Sequence, residues 1–257
     1  MPYSTTQKAA AWLVHAFTAS GIVAGFWAIV CISEGNFFMA FLMLFLTLVI
    51  DGIDGTFARM ANTKEVLPNM SGQTMDYVID FATYAIVPAY LIYAATIDGI
   101  PISEGGSYLV PEELRFWAAA IILLVSTLYY GKEGMVSNDY YFVGFPVMWN
   151  MVAFYLYYVY QFPPLGNFIM ILIFAILHFV PIKFLYPSRT PKFKHTNIFI
   201  TVLFVVSNVA LLTIVEGKYD SALAYQIMRG LSLFCMFYFA ATAVYHTWWD
   251  SDTKIKK

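Results

Sequence analysis

The chain has 257 residues, of which 60% are hydrophobic and 12% are charged, whereas roughly a quarter of the residues are charged in an ordinary soluble domain. A soluble domain cannot bury so large an apolar fraction, and several apolar runs reach the about 20 residues that a helix needs to cross a bilayer. The composition therefore excludes a soluble globular protein and predicts an all-α, polytopic membrane protein. The net charge of −2 leaves no basic excess for binding nucleic acid.

Eight apolar stretches predict eight transmembrane helices, and the breaks between them contain Gly, Pro, Asn and charged residues. The predicted helices cover about 9–32, 37–59, 72–97, 113–131, 142–161, 166–184, 196–215 and 224–247. No break is long enough to form a separate domain, so residues 1–257 are expected to form one transmembrane domain. Cys31 and Cys235 lie inside apolar stretches and are interpreted as small hydrophobic residues.

With eight helices, both ends of the chain lie on one side of the membrane, and the distribution of Lys and Arg predicts which side. Eleven of the 14 Lys and Arg residues fall on the side of the amino terminus, and three fall on the other. Because positive residues concentrate in cytoplasmic loops, we expect both termini and the loops after the second and sixth helices to face the cytoplasm. The expected location is the cytoplasmic, or inner, cell membrane.

Four aspartates lie within about thirty residues, near the predicted cytoplasmic ends of the second and third helices. Asp51 and Asp54 are spaced i, i+3, and Asp76 and Asp80 are spaced i, i+4, so each pair shares one face of its helix. A carboxylate inside a membrane helix costs at least about 2.5–3.5 kcal/mol on insertion scales and needs a partner. Four converging carboxylates repel one another unless cations hold them together, and their oxygens suit a pair of Mg²⁺ or Mn²⁺ ions.

The residues around the aspartates distinguish between the functions that buried carboxylates serve. A single acidic residue at a helix end is usually solvated, and a proton or divalent-cation transporter also buries carboxylates in its helices. Gly52, Gly55, Ala58 and Gly72 leave room for a flat ligand, although small residues also permit tight helix packing. Arg59 offers a forked donor to a phosphate. Together, these features favour a nucleotide site over a transport pathway.

These residues form a signature that resembles that of the CDP-alcohol phosphotransferase family. Residues 51–59 and 72–80 match the pattern D-x-x-D-G-x-x-A-R, a spacer, and G-x-x-x-D-x-x-x-D. The spacer of twelve residues is longer than in most members and is similar to that of the bacterial phosphatidylcholine synthase branch, as is the segment 139–150. The chain length and the expected number of helices are similar to that branch too.

The resemblance implies that the hydroxyl of an alcohol attacks the β-phosphorus of CDP-diacylglycerol and displaces CMP, the alcohol being choline in this branch. It also implies that Asp51, Asp54 and Asp76 are metal ligands, and that Asp80 is both a ligand and the catalytic base. The residues that the resemblance places around the CDP moiety are Gly55, Ala58, Arg59 and Gly72. Another acceptor, such as serine or inositol phosphate, stays open at this point.

Choline carries a quaternary ammonium, which aromatic faces bind with about 0.5–2 kcal/mol each. The candidates for this role on the predicted cytoplasmic side are Tyr77, Tyr84, Tyr141, Trp149 and Asn150. Membrane tyrosines are mostly interfacial anchors, which is the alternative for each of them. A basic cluster after the sixth helix contains Lys183 and Arg189, which are candidates for contacting the lipid diphosphate, although anionic headgroups attract such clusters too. A homodimer is a further expectation that the sequence leaves open.

Overall fold

The structure is a computed structural model, and it describes residues 3–218 and 221–250. The described residues are mainly helical, as the composition predicts. The α-helices are α1 (Thr5–Ser33), α2 (Phe37–Met60), α3 (Thr63–Val66), α4 (Gly72–Phe81), α5 (Val87–Ala94), α6 (Arg115–Tyr130), α7 (Trp149–Phe154), α8 (Pro164–Leu177), α9 (Lys194–Thr213) and α10 (Ala222–Trp248). Lys254, Lys256 and Lys257, which contribute to the predicted charge asymmetry, lie outside the described residues.

Within the described ranges, six helices are long and apolar enough to cross a membrane. These helices are Thr5–Ser33, Phe37–Met60, Gly72–Ala94, Glu112–Tyr130, Lys194–Gly217 and Ala222–Trp248. The chain is therefore a multi-pass helical membrane protein. The fifth and sixth predicted helices are present but shorter than expected. α7 has 6 residues and continues into a π-helical turn of 5 (Tyr155–Val159), and α8 has 14 residues.

A short antiparallel ribbon replaces the missing ends of the fifth and sixth predicted helices. Strand β1 (Tyr141–Val143) pairs with strand β2 (Lys183–Leu185). Gly144 follows β1 with φ of 95°, and a Cβ at this position would lie 2.0 Å from the carbonyl oxygen of His178. Only glycine allows the two backbones to approach so closely. The apolar composition of both segments predicted helix, but tertiary pairing of the strands overrides that pattern.

α1, α2 and α4 pack closely because small residues of α1 face the other two helices. A Cβ on Gly21 would lie 3.2 Å from the Ile79 side chain of α4 and 3.7 Å from the Ile50 side chain of α2. A Cβ on Gly25 would lie 2.9 Å from the side chain of Thr83, in the helical turn that continues α4. The residue numbers differ by 58 in the contacts with Ile79 and Thr83, so α1 and α4 run parallel in a constant register. Short connections make α2 antiparallel to both. The start of α1, the end of α2 and the start of α4 therefore lie at the same end of the bundle.

Side-chain hydrogen bonds order the connection between α2 and α4. Asn62 adopts a left-handed conformation with φ of 49° and precedes α3, and its Nδ2 donates to Glu65 at 2.7 Å. Tyr3 donates to the same carboxylate at 2.9 Å. The hydrogen bonds from Asn62 and Tyr3 hold the pKa of Glu65 below its ordinary value. Ser71 then caps α4 by accepting a hydrogen bond from a backbone N–H of its first turn at 3.1 Å, which fixes where α4 begins.

Candidate active site

The four predicted aspartates converge between α2 and α4, and we call Asp51, Asp54, Asp76 and Asp80 the aspartate cluster. Carboxylate oxygens of Asp51, Asp76 and Asp80 lie within 4.8 Å of one another. Asp54, one turn further along α2, lines the same pocket and is only 7% exposed. The spacings of three and four residues put each pair on one face of its helix. Antiparallel packing of the two helices turns these faces toward a shared space.

That shared space is a pocket among α1, α2 and α4, with about 220 Å³ of empty volume including its mouth. It is lined by Thr18, Gly21, Thr47, Ile50, Asp51, Asp54, Asp76, Ile79, Asp80 and Thr83. The Thr18 side chain of α1 lines this pocket and interacts with Asp54. α1 therefore contributes a polar group to the pocket as well as the small residues that allow close packing.

Tyr84 holds Asp51 in place. Its hydroxyl donates to Asp51 Oδ2 at 2.8 Å, and its ring is buried. Tyr84 lies in a π-helical turn, Ala82–Ile86, that joins α4 to α5. Pro88, in the first turn of α5, has no N–H to donate to the carbonyl one turn before it, and π-helical turns are frequent near functional sites. Of the sequence-predicted choline residues, Tyr84 is thus the one that touches the aspartate cluster, through its hydroxyl.

The residues predicted for the CDP moiety lie at the same end of the bundle as the aspartate cluster. A Cβ on Gly55 would lie 3.4 Å from Arg59 Nη1. The Arg59 side chain is exposed, and its Nη2 donates to Thr56 Oγ1 at 2.9 Å. Ala58 is partly exposed beside it, and Gly72 is the first residue of α4. A guanidinium and several small residues therefore stand next to the carboxylates.

The loop after β2 brings an arginine and a tyrosine close to the aspartate cluster. The Arg189 guanidinium lies 5.3 Å from the centre of the Tyr186 ring and interacts electrostatically with Asp76. Burial raises the pKa of Tyr186, the positive charge of Arg189 opposes this shift, and the negative charges of the aspartate cluster reinforce it. Of the two cations predicted for the lipid diphosphate, Arg189 is the one that the structure places toward the carboxylates.

The second predicted cation, Lys183, belongs to a separate ion-paired group that we call the anchor cluster: Asp139, Lys183, Lys192, His246 and Asp250. Lys183 Nζ lies 2.7 Å from Asp139, and both Lys192 Nζ and His246 Nδ1 lie within 2.9 Å of Asp250. Asp250 and His246 are buried at the end of α10. The anchor cluster therefore holds both ends of the loop that carries Tyr186 and Arg189 in place.

The other choline candidates lie in different environments. Tyr77, next to a cluster aspartate on α4, is 38% exposed. Tyr141, Trp149 and Asn150 are buried and do not line the aspartate pocket. The Tyr141 hydroxyl lies 3.3 Å from a histidine of the anchor cluster, and the Trp149 ring stacks on His178 at 5.2 Å. Asn150 lines a second, mainly apolar pocket between α2 and α7.

Three residues near the site have no role predicted from the sequence: Thr18, Tyr130 and Tyr186. The Tyr130 ring, at the end of α6, lies 6.0 Å from that of Tyr77 and interacts electrostatically with the aspartate cluster. Thr18 could have been found, because it belongs to a row of small and polar residues that recurs every three to four positions along α1. The two tyrosines could not, since their approach depends on how distant segments pack.

The donors of the aspartate cluster fit a divalent cation. Carboxylate oxygens are hard, negatively charged ligands, which is the type that Mg²⁺ and Mn²⁺ prefer. Oxygens of Asp51, Asp76 and Asp80 are close enough to contribute to one site. Like charges gathered in membrane-spanning helices are costly without a counter-ion. The cluster can therefore bind a divalent metal, and a metal would stabilise it.

Comparison with known proteins identifies the family. The family model described as CDP-alcohol phosphatidyltransferase matches residues 10–249. A protein named phosphatidylcholine synthase from Agrobacterium fabrum is 35% identical over 92% of this chain and 91% of its own length. Proteins of the same name from Rhizobium meliloti and Pseudomonas aeruginosa are 38% and 37% identical, over 80% and 79% of this chain and 79% of their own lengths. The chain therefore belongs to the CDP-alcohol phosphatidyltransferase family and is a phosphatidyltransferase embedded in the membrane.

Proposed function

We propose that the chain is a phosphatidylcholine synthase, which transfers the phosphatidyl group of CDP-diacylglycerol to choline and releases CMP. The proposal is carried by the convergence of Asp51, Asp76 and Asp80 at signature positions. It is supported by similarity over most of the chain to proteins named phosphatidylcholine synthase. A cation or proton transporter would also use the aspartates but would not need Arg59 and the small residues beside them.

The aspartate cluster would hold two divalent ions, Mg²⁺ or Mn²⁺, with Asp51, Asp54, Asp76 and Asp80 as ligands. Such ions neutralise negative charge on a transferring phosphoryl group and on the oxygens that flank it. The protein's own contribution is to keep these carboxylates in place, on packed helices rather than on loops. The hydrogen bond from Tyr84 to Asp51 and the interaction of Thr18 with Asp54 serve that purpose.

Asp80 is the base that we assign to the choline hydroxyl, because it lies among the carboxylates where the hydroxyl would react and a base must reach the proton that it takes. The hydroxyl oxygen forms a bond to the β-phosphorus as its proton passes to Asp80. The bond from that phosphorus to the bridging oxygen breaks, and its electron pair leaves with CMP. Asp80 then releases the proton to water, and phosphatidylcholine stays in the membrane.

Two arginines would bind the phosphates of CDP-diacylglycerol. Arg59 stands at the edge of the aspartate cluster, beside the small residues that would accommodate cytidine: Gly55, Ala58 and Gly72. Arg189 would approach the lipid diphosphate from the loop after β2, where its charge already acts on a cluster carboxylate. The planar fork of a guanidinium matches two phosphate oxygens at once. Lys183 would act indirectly, by holding that loop through its ion pair.

Choline would bind at the rim of the aspartate cluster, where tyrosine rings surround the carboxylates. Tyr77 and Tyr130 lie 6.0 Å apart, and Tyr186 is near the same carboxylates. Ring faces attract a quaternary ammonium, which has no N–H to donate. Of the choline candidates predicted from the sequence, Tyr77 would contribute a ring face to the ammonium group, and Tyr84 would instead support Asp51 through its hydroxyl.

The proposed location is the cytoplasmic membrane, with the aspartate cluster at the cytoplasmic end of the bundle and both termini on that side. The concentration of Lys and Arg in the segments at that end supports this orientation. It also gives two water-soluble molecules, choline and CMP, direct access to the site. We further propose that residues 1–257 form a single domain, and the family match over 10–249 supports this.

The test is CMP release by the purified protein, given CDP-diacylglycerol and a panel of alcohols with and without a chelator. Choline is expected to support release, and chelation or Asp76→Asn is expected to abolish it. Ethanolamine keeps the hydroxyl and a positive charge but lacks the three methyl groups, so we expect a rate about tenfold lower. Comparable rates with ethanolamine, or a preference for serine or inositol phosphate, would refute choline as the acceptor. Cation uptake into vesicles without CMP release would favour a transporter.

A further inference from the structure

His15 lies on α1, at the level where α4 begins. A Cβ on Gly72 would lie 3.4 Å from His15 Cε1. Because α1 and α4 run parallel in a constant register, Thr18 is level with Asp76, and His15 lies one turn closer to the end of the bundle. His15 is therefore beside the aspartate pocket rather than among the carboxylates.

The signature residues proposed for cytidine lie at the same level. The rings of Phe17 and Phe57 are 5.4 Å apart, which aligns this part of α1 with the last turns of α2. Ala58 is one turn beyond the last aspartate of α2 and close to His15 in height. His15 thus lies next to Gly72 and at the height of Ala58, two of the residues proposed to leave room for a flat base.

The His15 side chain is 4% exposed, and its Nε2 is buried without a hydrogen-bond partner among the described residues. A buried polar atom without a partner costs stability, and such atoms in native structures require an explanation. An apolar residue would fill this position without that cost. A partner that arrives with the substrate accounts for the imidazole.

A second buried histidine, His178, provides the contrast. Its Nε2 is also buried without a partner, but its Nδ1 lies 2.8 Å from a backbone carbonyl oxygen. Its ring stacks on Trp149 and contacts the rings of Tyr129 and Phe145. Aromatic packing therefore explains His178. The only ring paired with His15 within the described structure is that of Trp12, at 6.3 Å, and Cε1 of His15 lies next to Gly72.

We propose that His15 is a specificity-determining residue that hydrogen-bonds the cytosine base of the nucleotide through Nε2. This inference rests on the proposed function, since it assigns a further residue to the same site. A neutral imidazole presents one donor and one acceptor, and cytosine presents an amine next to ring and carbonyl acceptors. In the tautomer that carries its proton on Nδ1, Nε2 accepts a hydrogen bond from the cytosine amine. Uracil has a carbonyl oxygen, itself an acceptor, at that position, so His15 would favour cytosine over uracil.

The experiment measures binding of CMP and UMP, by shifts in thermal unfolding, to the wild type, His15→Phe, His15→Gln and the control His178→Phe. We expect the wild type to prefer CMP, and His15→Phe to bind CMP about tenfold more weakly, as for the loss of one hydrogen bond. His15→Gln can still form a hydrogen bond and should keep part of the preference. His178→Phe should bind both nucleotides as the wild type does. In turnover, His15→Phe should raise the KM for CDP-diacylglycerol and leave that for choline unchanged.

Equal binding of CMP and UMP by the wild type, or unchanged CMP binding by His15→Phe, would overturn the proposal. A parallel rise in the KM for both substrates would also overturn it, because it would indicate a structural role. If His15→Phe does not fold, His15→Leu and His15→Gln provide the same comparison. Failure of the proposed function gives a different result, since choline would then not support the release of CMP from CDP-diacylglycerol by the wild type.

Discussion

Two charged regions of the molecule have opposite electrostatics. In the aspartate cluster, carboxylate oxygens of Asp51, Asp76 and Asp80 lie within 4.8 Å of one another, and the nearest cations stand at the rim. In the anchor cluster, each carboxylate has a basic partner: Lys183 Nζ is 2.7 Å from Asp139, and Lys192 Nζ is 2.6 Å from Asp250. One region gathers like charges, and the other neutralises its own.

The difference separates function from support. Charges that are buried together without counter-ions destabilise a fold, so the aspartate cluster persists for what it binds. A buried ion pair is self-sufficient, and removing one partner leaves an uncompensated charge. The anchor cluster therefore serves the structure, and its effect on activity passes through the loop that carries Tyr186 and Arg189. Mutations in the aspartate cluster should consequently abolish activity and preserve stability, whereas mutations in the anchor cluster should lower stability and largely preserve activity.

The largest expected effect is loss of turnover when the aspartate cluster loses a ligand. Asp51→Asn, Asp54→Asn and Asp76→Asn should each lower CMP release by about 10⁴-fold or more, because each removes charge from a shared metal site. Without added metal, their unfolding midpoints should equal or exceed that of the wild type, since a repulsion has been removed. Measurements of CMP release and of thermal unfolding in the presence of a chelator check these two expectations. A variant that keeps near-normal activity would remove that residue from the ligand set.

The next effect distinguishes base from ligand at Asp80. Asp80→Asn should lower turnover by about 10³-fold, within the range for general-base catalysis, while CDP-diacylglycerol binding stays nearly unchanged. The other three aspartates remain to hold the nucleotide site together. Affinity and turnover are measured in the same preparation. If both fell together, Asp80 would be chiefly a ligand.

Much of the aspartate cluster was predictable because its geometry is local. The spacing of Asp51 and Asp54, and that of Asp76 and Asp80, determines a helix face without knowledge of the rest of the fold. The packing of α2 against α4 only had to bring the two aspartate-bearing faces together. The small residues beside them follow the same periodicity, so the sequence also indicated room for a ligand.

The anchor cluster and the choline residues were not predictable, because they depend on long-range pairing. Lys183 lies at the end of the sixth predicted helix and meets a carboxylate 44 positions away, which lies just before the start of the fifth predicted helix. The pairing of β1 with β2 ends those helices and carries Tyr141 into the anchor cluster. Aromatic residues make up 19% of the chain, so proximity in sequence could not tell packing rings such as Trp149 from rings at the site.

A smaller effect, on stability rather than chemistry, is expected in the anchor cluster. Lys192→Met should lower the free energy of unfolding by about 3 kcal/mol, because Asp250 is buried and loses its closest cation. Turnover at saturating substrates should fall far less than in the aspartate variants. Lys64→Met, at an exposed lysine in the α2–α4 connection, is the matched control. Unchanged stability of Lys192→Met would contradict the anchoring role.

The smallest effect concerns pH at the other anchor pair. Burial works to raise the pKa of Asp139, but the hydrogen bond from Lys183, aided by that from Ser137, outweighs it and holds the pKa below its ordinary value. A carboxyl whose pKa is lower in the folded state contributes stability above its unfolded pKa of about 4 and loses it as the pH falls through the folded value. The contribution should stay below about 1 kcal/mol, since Asp139 is partly exposed.

Thermal unfolding of the wild type and Asp139→Asn between pH 6 and pH 3 checks this sign. The difference between their midpoints should be constant at the upper end and shrink below about pH 4. A difference that grows as the pH falls would mean that the Lys183 pair does not stabilise the charged form of Asp139.

The central claim is that the aspartate cluster requires bound metal cations to balance its charge, whereas the anchor cluster does not. Measuring how metal ions change thermal unfolding in the absence of substrate tests this claim most directly. Mg²⁺ or Mn²⁺ at about 100 times its dissociation constant should stabilise the wild type by about 2.7 kcal/mol, seen as a rise in the unfolding midpoint. Asp76→Asn should lose most of that rise, and Asp139→Asn should keep it. Equal shifts in all three proteins, or no shift in the wild type, would contradict the account.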